Sequence, residues 1–146
     1  MRISAKGEYA IKAMLDLALE QERGLIPIQE IAARRAIPQR YLEQVLLSLK
    51  RAGLLTSKRG STGGYHLTRR PEDITVGDVL RAVEGPRMAL QPGGAARSAG
   101  RAEADLAELW EEIGEAVSKV VDRVTFGQLV ARVRERRSAG RPMYHI

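Results

Sequence analysis

Pro38-Gln39-Arg40-Tyr41-Leu42-Glu43-Gln44-Val45-Leu46-Leu47-Ser48-Leu49-Lys50-Arg51-Ala52-Gly53, then Leu54-Leu55-Thr56-Ser57, then Lys58-Arg59-Gly60-Ser61-Thr62-Gly63-Gly64, then Tyr65-His66-Leu67 is the stretch that decides the fold. Leu42, Val45, Leu46 and Leu49 recur at i, i+3, i+4 and i+7, the spacing of one buried helical stripe. Pro38 suits the first helical position, where a missing N–H is harmless. Gly53 is a natural residue to end the helix. The opposite face carries Gln39, Arg40, Glu43, Gln44, Lys50 and Arg51, groups able to reach base edges and phosphates. The next segment reads as two short strands around a turn rich in glycine and cations, a hairpin tip suited to a polyanion. A polar-faced helix followed by a basic hairpin is the sequence form of a winged helix.

Composition points the same way. The chain has 146 residues and a formal net charge of +6, with a pI of about 10.1. That length holds one ordinary domain with room for an appendage. The basic balance favours a polyanionic partner, nucleic acid before membrane; a generally solvated basic surface is the alternative. There are no cysteines and only His66 and His145. Disulfides, thiolate metal sites and histidine-rich metal clusters are therefore excluded. No apolar run is long enough to span a bilayer, and the N-terminus lacks a signal-peptide core, so a cytoplasmic protein is expected. No nucleophile–base pair, phosphate loop or metal set points to an enzyme.

Outward from the central stretch, Ser4 is a good cap for a first helix with Ile11, Met14, Leu15 and Ala18 as its stripe, widened by Leu17 and Leu19 and ended by Gly24. Lys6 falls in its first turn, where a cation is unfavourable unless lysine and helix N-terminus share a phosphate; an ordinary exposed lysine is the alternative. A second helix, Ile28 to Ala36, turns Ile31 and Ala32 inward and lacks a side-chain cap at Pro27. With the helix after Pro38 it fits helix-turn-helix geometry. Thr75-Val76-Gly77-Asp78 matches a capping box opening a helix that buries Val76, Val79, Leu80 and Val83, and Gly85-Pro86 stops it.

The expected organisation is mostly α with a small β-hairpin: a winged helix-turn-helix in residues 1–84, a flexible loop in 85–104 centred on Gln91-Pro92-Gly93-Gly94, a dimerisation helix in 105–124, and a short return helix with a C-terminal tail in 125–146. In the long helix Leu106, Trp110, Ile113, Val117, Val120 and Val124 alternate spacings of four and three, a seam suited to a second copy of the chain. Packing into the chain's own core is the alternative. Thr125 with Gln128 forms a second capping box, and Arg132, Arg134, Arg136 and Arg137 cluster near the end of the helix it opens.

Four segments in register carry a family resemblance: Arg2-Ile3-Ser4-Ala5-Lys6-Gly7-Glu8-Tyr9-Ala10, Tyr41-Leu42-Glu43-Gln44, Arg59-Gly60-Ser61-Thr62-Gly63-Gly64-Tyr65 and Ile74-Thr75-Val76-Gly77-Asp78. From Arg2 to about Leu129 the chain resembles the Rrf2 family of bacterial transcription regulators. The resemblance implies a winged-helix homodimer with a long crossing helix, bound to a palindromic DNA operator. Many members bind an iron–sulfur cluster through three cysteines in the loop before the long helix; Pro86 to Ala104 has none, and Ala107 stands where some members add a histidine. The chain looks like the cysteine-free branch, without a cofactor, whose better-known representatives repress sulfur and cysteine metabolism genes. Pro27 and Pro38 depart from the family's Ser or Thr caps. Leu47 stands where a small polar residue is usual; it could touch a thymine methyl or pack on the wing.

On this reading Gln39, Arg40, Glu43 and Gln44 face base edges, and Arg59 with Gly60 enters an A·T-rich minor groove. Lys6, Tyr41, Lys50, Arg51 and Lys58 hold phosphates. Serine acetyltransferases present a C-terminal isoleucine to cysteine synthase, and this chain ends in Ile146. Tyr144, His145 and Ile146 are therefore a candidate tail for docking on that enzyme; a frayed terminus is the plainer alternative. A protein-interaction adaptor that kept the winged fold without binding DNA is the competing function.

Overall fold

A computed structural model describes residues 3–85 and 101–140. Its element order is α1 (Ala5–Leu19), a 3₁₀ turn (Gln21–Arg23), α2 (Ile28–Arg35), α3 (Gln39–Arg51), β1 (Leu55–Lys58), β2 (Gly64–Leu67), a 3₁₀ turn (Pro71–Asp73), α4 (Val76–Glu84), α5 (Arg101–Arg123) and α6 (Phe126–Ala139). The mostly helical fold with one antiparallel hairpin is the one expected from the sequence. Tyr144, His145 and Ile146, like Gln91-Pro92-Gly93-Gly94, lie outside the described residues.

Helix α1 is the hub, packed on α2, α3, β2, α4 and α6. Gly7, Ala10, Ala13 and Ala18 are buried along it beside Met14 and Leu17. These small side chains let neighbouring helices come close while the two large ones fill the space between. The stripe is thus turned from the expected one: Ile11, Leu15 and Leu19 are only half-buried. Ser4 caps α1 as expected, its Oγ accepting from the Gly7 N–H at 3.0 Å. The helix stops at Leu19 rather than Gly24; Gly24, at φ 83°, ends the following 3₁₀ turn.

In α3, Leu42, Val45, Leu46 and Leu49 are all fully buried. Pro38 is the cap residue and Gln39 the first helical one, a shift of one position from expectation. Gly53, at φ 80°, closes the end: its N–H bonds the Lys50 carbonyl and the Leu54 N–H bonds the Leu49 carbonyl, both at 3.0 Å. This paired closure satisfies carbonyls that the helix leaves open and turns the chain directly into β1.

The hairpin pairs Leu55 with Leu67 and Lys58 with Gly64 at its ends. A further rung joins Ile26 to Tyr65 through two backbone hydrogen bonds of 2.9 Å. The wing is therefore tied to the segment before α2 as well as to α3.

Thr75 and Thr125 each cap a helix with a complete capping box. The two caps lie side by side: Thr75 bridges Thr125, the Val76 N–H bonds the Val124 carbonyl, and the Phe126 N–H bonds the Ile74 carbonyl, both at 2.9 Å. Phe126 is fully buried. Arg81 of α4 pairs with Asp122 of α5. Gly77 permits this approach, since a Cβ there would stand 2.0 Å from Asp122 Oδ1. Helix α5 begins at Arg101, four residues before the expected Asp105, and ends at Arg123, so Val124 lies beyond it. Residues 101–104 are good helix formers without an apolar stripe, so periodicity could not find them. No described helix is long and apolar enough to cross a membrane.

Candidate nucleic-acid interface

The amphipathic pattern that buries one face of α3 necessarily presents the other. Gln39, Arg40, Glu43, Gln44, Lys50 and Arg51 are all exposed. Tyr41 is held at the edge of that face by an edge-on contact with Tyr9, ring centres 5.2 Å apart. Lys58, Arg59 and Gly60 are exposed at the hairpin tip. Gly60 has φ 109° and open space around it, so the tip can turn tightly and press close to a surface.

Helix and wing enclose a groove of about 450 Å³, lined by Pro27, Ile28, Leu47, Lys50, Lys58 and Arg59 among others. Lys50 Nζ donates to Ser57 Oγ at 2.6 Å, linking α3 to β1 across it. Among the described residues no carboxylate pairs with Arg40, Lys50, Arg51, Lys58 or Arg59; the ion pairs join other residues. Uncompensated cations around a concave surface raise the local concentration of an anionic partner.

Lys6 is half-buried in the first turn of α1. That turn already has an anion beside it: Ser4 Oγ donates to the carboxylate of Glu84. A carboxylate therefore already sits at this helix N-terminus.

One carboxylate beside the helix-turn-helix, Asp16, is turned inward. Asp16 is 1% exposed. It accepts from Arg34 Nε at 3.0 Å and Nη2 at 2.8 Å, and from Arg35 Nε at 3.2 Å. Glu30 joins Arg34 to Arg23, and these two guanidinium groups hold its carboxyl down at about 2. The network pins α2 to α1 and so fixes the first helix of the motif. Sequence reading missed it. The signal was Asp16 inside an otherwise apolar stripe, a position a carboxylate occupies only when paired.

On α5, Leu106 and Val120 are 43% and 51% exposed, and Trp110 and Ile113 are half-buried. The Trp110 indole N–H finds no acceptor among the described residues. Val117 is half-buried and, with Val121, packs on Leu80 of its own chain. The Arg81–Asp122 pair joins the same end of α5 to α4. Val124 is half-buried at the α5–α6 junction.

A two-helix motif with an uncovered polar second helix, flanked by a cationic hairpin, defines a winged helix-turn-helix regulator of the DNA-binding class. The comparisons with known proteins narrow this. Residues 3–132 match Rrf2, described as an iron-dependent transcriptional regulator, and the chain belongs to that family. It is 36% identical over 130 residues to the HTH-type transcriptional regulator IscR of Aliivibrio salmonicida, spanning 89% of this chain and 77% of that one. The structure of CymR, the global cysteine regulator of B. subtilis, superposes with a TM-score of 0.73 at 36% identity, covering 90% of this chain and 98% of that one. IscR of T. potens gives 0.73 at 31% identity, covering 99% and 94%.

The residues present do not fit an iron–sulfur cluster. The chain contains no cysteine, and such clusters are held by thiolates. Among the described residues no group of three or more His, Cys, Asp or Glu side chains could hold a metal ion.

Proposed function

We propose that the chain is a homodimeric, sequence-specific repressor acting at palindromic operators, and that its genes belong to sulfur and cysteine metabolism. One observation carries the DNA-binding part: the outward face of α3 and the groove beside the wing are both uncovered, and among the described residues their cations have no carboxylate partner. Gln39, Arg40, Glu43 and Gln44 address base edges in the major groove. Glu43 accepts from cytosine N4 but repels phosphate, so it discriminates more than it binds. Arg59, with Gly60 allowing close approach, enters the adjacent A·T-rich minor groove, where the potential is most negative. Lys6, Tyr41, Lys50, Arg51 and Lys58 hold phosphates and set the register.

Pairing through α5 brings two such heads to two half-sites. The exposed Leu106 and Val120, with Trp110 and Ile113 between them, support this surface. Cysteine metabolism is supported by the likeness to the B. subtilis cysteine regulator, at 36% identity over nearly the whole of both chains.

The test is a titration of the purified chain against an operator selected from random DNA, at two salt concentrations. Binding should weaken steeply with salt, and Lys58→Ala should reduce the slope by about one per protomer. Arg59→Ala should lose affinity chiefly for A·T-flanked sites, and Glu43→Ala should relax specificity more than affinity. A chain that ignores every duplex at low salt is instead the adaptor without DNA binding.

A further inference from the structure

Leu47 is 45% exposed. Its neighbours on the outward face of α3 are polar or charged. Arg40, Glu43, Gln44, Leu47 and Arg51 follow the i, i+3, i+4, i+7 and i+11 spacing of a single stripe. That stripe lies opposite the buried Leu42, Val45, Leu46 and Leu49. Leu47 is thus the apolar member of the outward stripe, within the face that the reading above turns toward DNA.

The wing does not cover it. Leu47 lines the groove of about 450 Å³ together with Lys50, Lys58 and Arg59. The link between α3 and the hairpin is made instead by Lys50 and Ser57. A leucine that shares its groove with Lys50, Lys58 and Arg59, as well as with Pro27, Ile28 and Tyr65, is poorly suited to an apolar protein surface, because docking one would strip water from those three cations. It suits a polyanion that carries an apolar projection. In the DNA major groove that projection is the thymine 5-methyl group.

We infer that Leu47 reads a thymine methyl in each half-site, making it a specificity-determining residue. This rests on the DNA-binding reading above. From Arg40 to Leu47 is two helical turns, a rise of about 10.5 Å. With the helix along the groove, that rise corresponds to about three base-pair steps. The methyl therefore lies about three base pairs from the base that Arg40 addresses, beyond the reach of the polar residues in the first turns.

The experiment uses the full chain and its selected duplex, with each thymine replaced in turn by deoxyuridine, which removes only the methyl. One thymine in each half-site should be sensitive, with affinity falling about four-fold per half-site for one buried methyl. Leu47→Ala should bind the thymine and deoxyuridine duplexes equally at that position. It should keep the wild-type salt slope and the wild-type sensitivity to Arg59→Ala, which shows that the variant is folded and correctly seated. Three results overturn the inference while leaving DNA binding intact: methyl indifference at every thymine, a methyl effect that persists in Leu47→Ala, or equal loss by Leu47→Ala on both duplexes. Absence of binding to any duplex by the wild-type chain overturns the DNA-binding reading and this inference together.

Discussion

Gly64→Ala is expected to unseat the wing. Gly64 opens β2 where that strand passes Ile26, and a Cβ there would stand 2.4 Å from the Ile26 carbonyl oxygen and 2.5 Å from its carbon. Both are backbone atoms of a buried residue, so no flexible side chain can yield. Relief requires the rung between Ile26 and Tyr65 to open, and that rung is two hydrogen bonds of 2.9 Å. Each contributes about 1 kcal/mol net, and forcing an extra carbon into a packed site costs about 1–3 kcal/mol. Where the strand peels away, the steric part is largely relieved, so the total should be about 2–4 kcal/mol. Urea unfolding should show a lower midpoint at unchanged slope. DNA titration should add a second signature: Arg59→Ala should cost less affinity on the Gly64→Ala background than alone, because the displaced tip no longer delivers Arg59. Gly60→Ala is the control. Its Cβ meets open space, leaving only the backbone cost of about 1–3 kcal/mol for φ 109° and no clash with the Ile26 backbone. A wild-type midpoint for Gly64→Ala, or an undiminished effect of Arg59→Ala in that background, would refute the reasoning.

Asp16→Asn should destabilise the chain by about 3 kcal/mol, the lower end for breaking a buried ion pair, because Arg34 and Arg35 keep some solvent; thermal or urea unfolding checks this. Glu30 ionises at about 2 in the fold against an ordinary 4.5. The unfolded chain therefore takes up its proton first, and the stability from this group is complete above about pH 4.5 and lost as pH falls toward 2. Glu30→Gln should flatten that part of the acid unfolding profile, and an unaltered profile would reject the assignment. Val120→Glu places a charge on a residue that is 51% exposed. If α5 pairs two copies, sedimentation should show a shift toward single chains with little loss of monomer stability; an unchanged dimer would move the interface elsewhere.

Local chemistry was legible wherever one short segment decides its own structure. The α3 stripe, the Gly53 closure and both capping boxes depend on residues at most seven apart, and the sequence displays all of them. What sequence reading missed depends on partners distant along the chain. Ile26 becomes a rung of the wing only because Tyr65 arrives beside it. Asp16 is tolerable inside α1 only because Arg34 and Arg35 reach it. Phe126 follows a cap, yet it fills the core because α6 folds back on α1. The rotation of the α1 stripe has the same origin: helices on several sides reward small residues where a two-sided helix would show large ones. At the interface, residue types were readable from α3 and the hairpin, whereas the groove between them, and the uncovered leucine in it, required the tertiary arrangement.

The paired caps at Thr75 and Thr125 act on the molecule as a collar does on two shafts. Because α4 and α6 start from a shared bridge, and Asp122 of α5 pairs with Arg81 of α4, the end of the long helix is held to the head at more than one point rather than on a tether. In the proposed dimer the separation and phase of the two heads are then set by that helix. An extra base pair at the operator's centre turns one half-site by about 34° and advances it by about 3.4 Å. A mount held in this way has little means of following that displacement, so spacing becomes part of what the protein recognises.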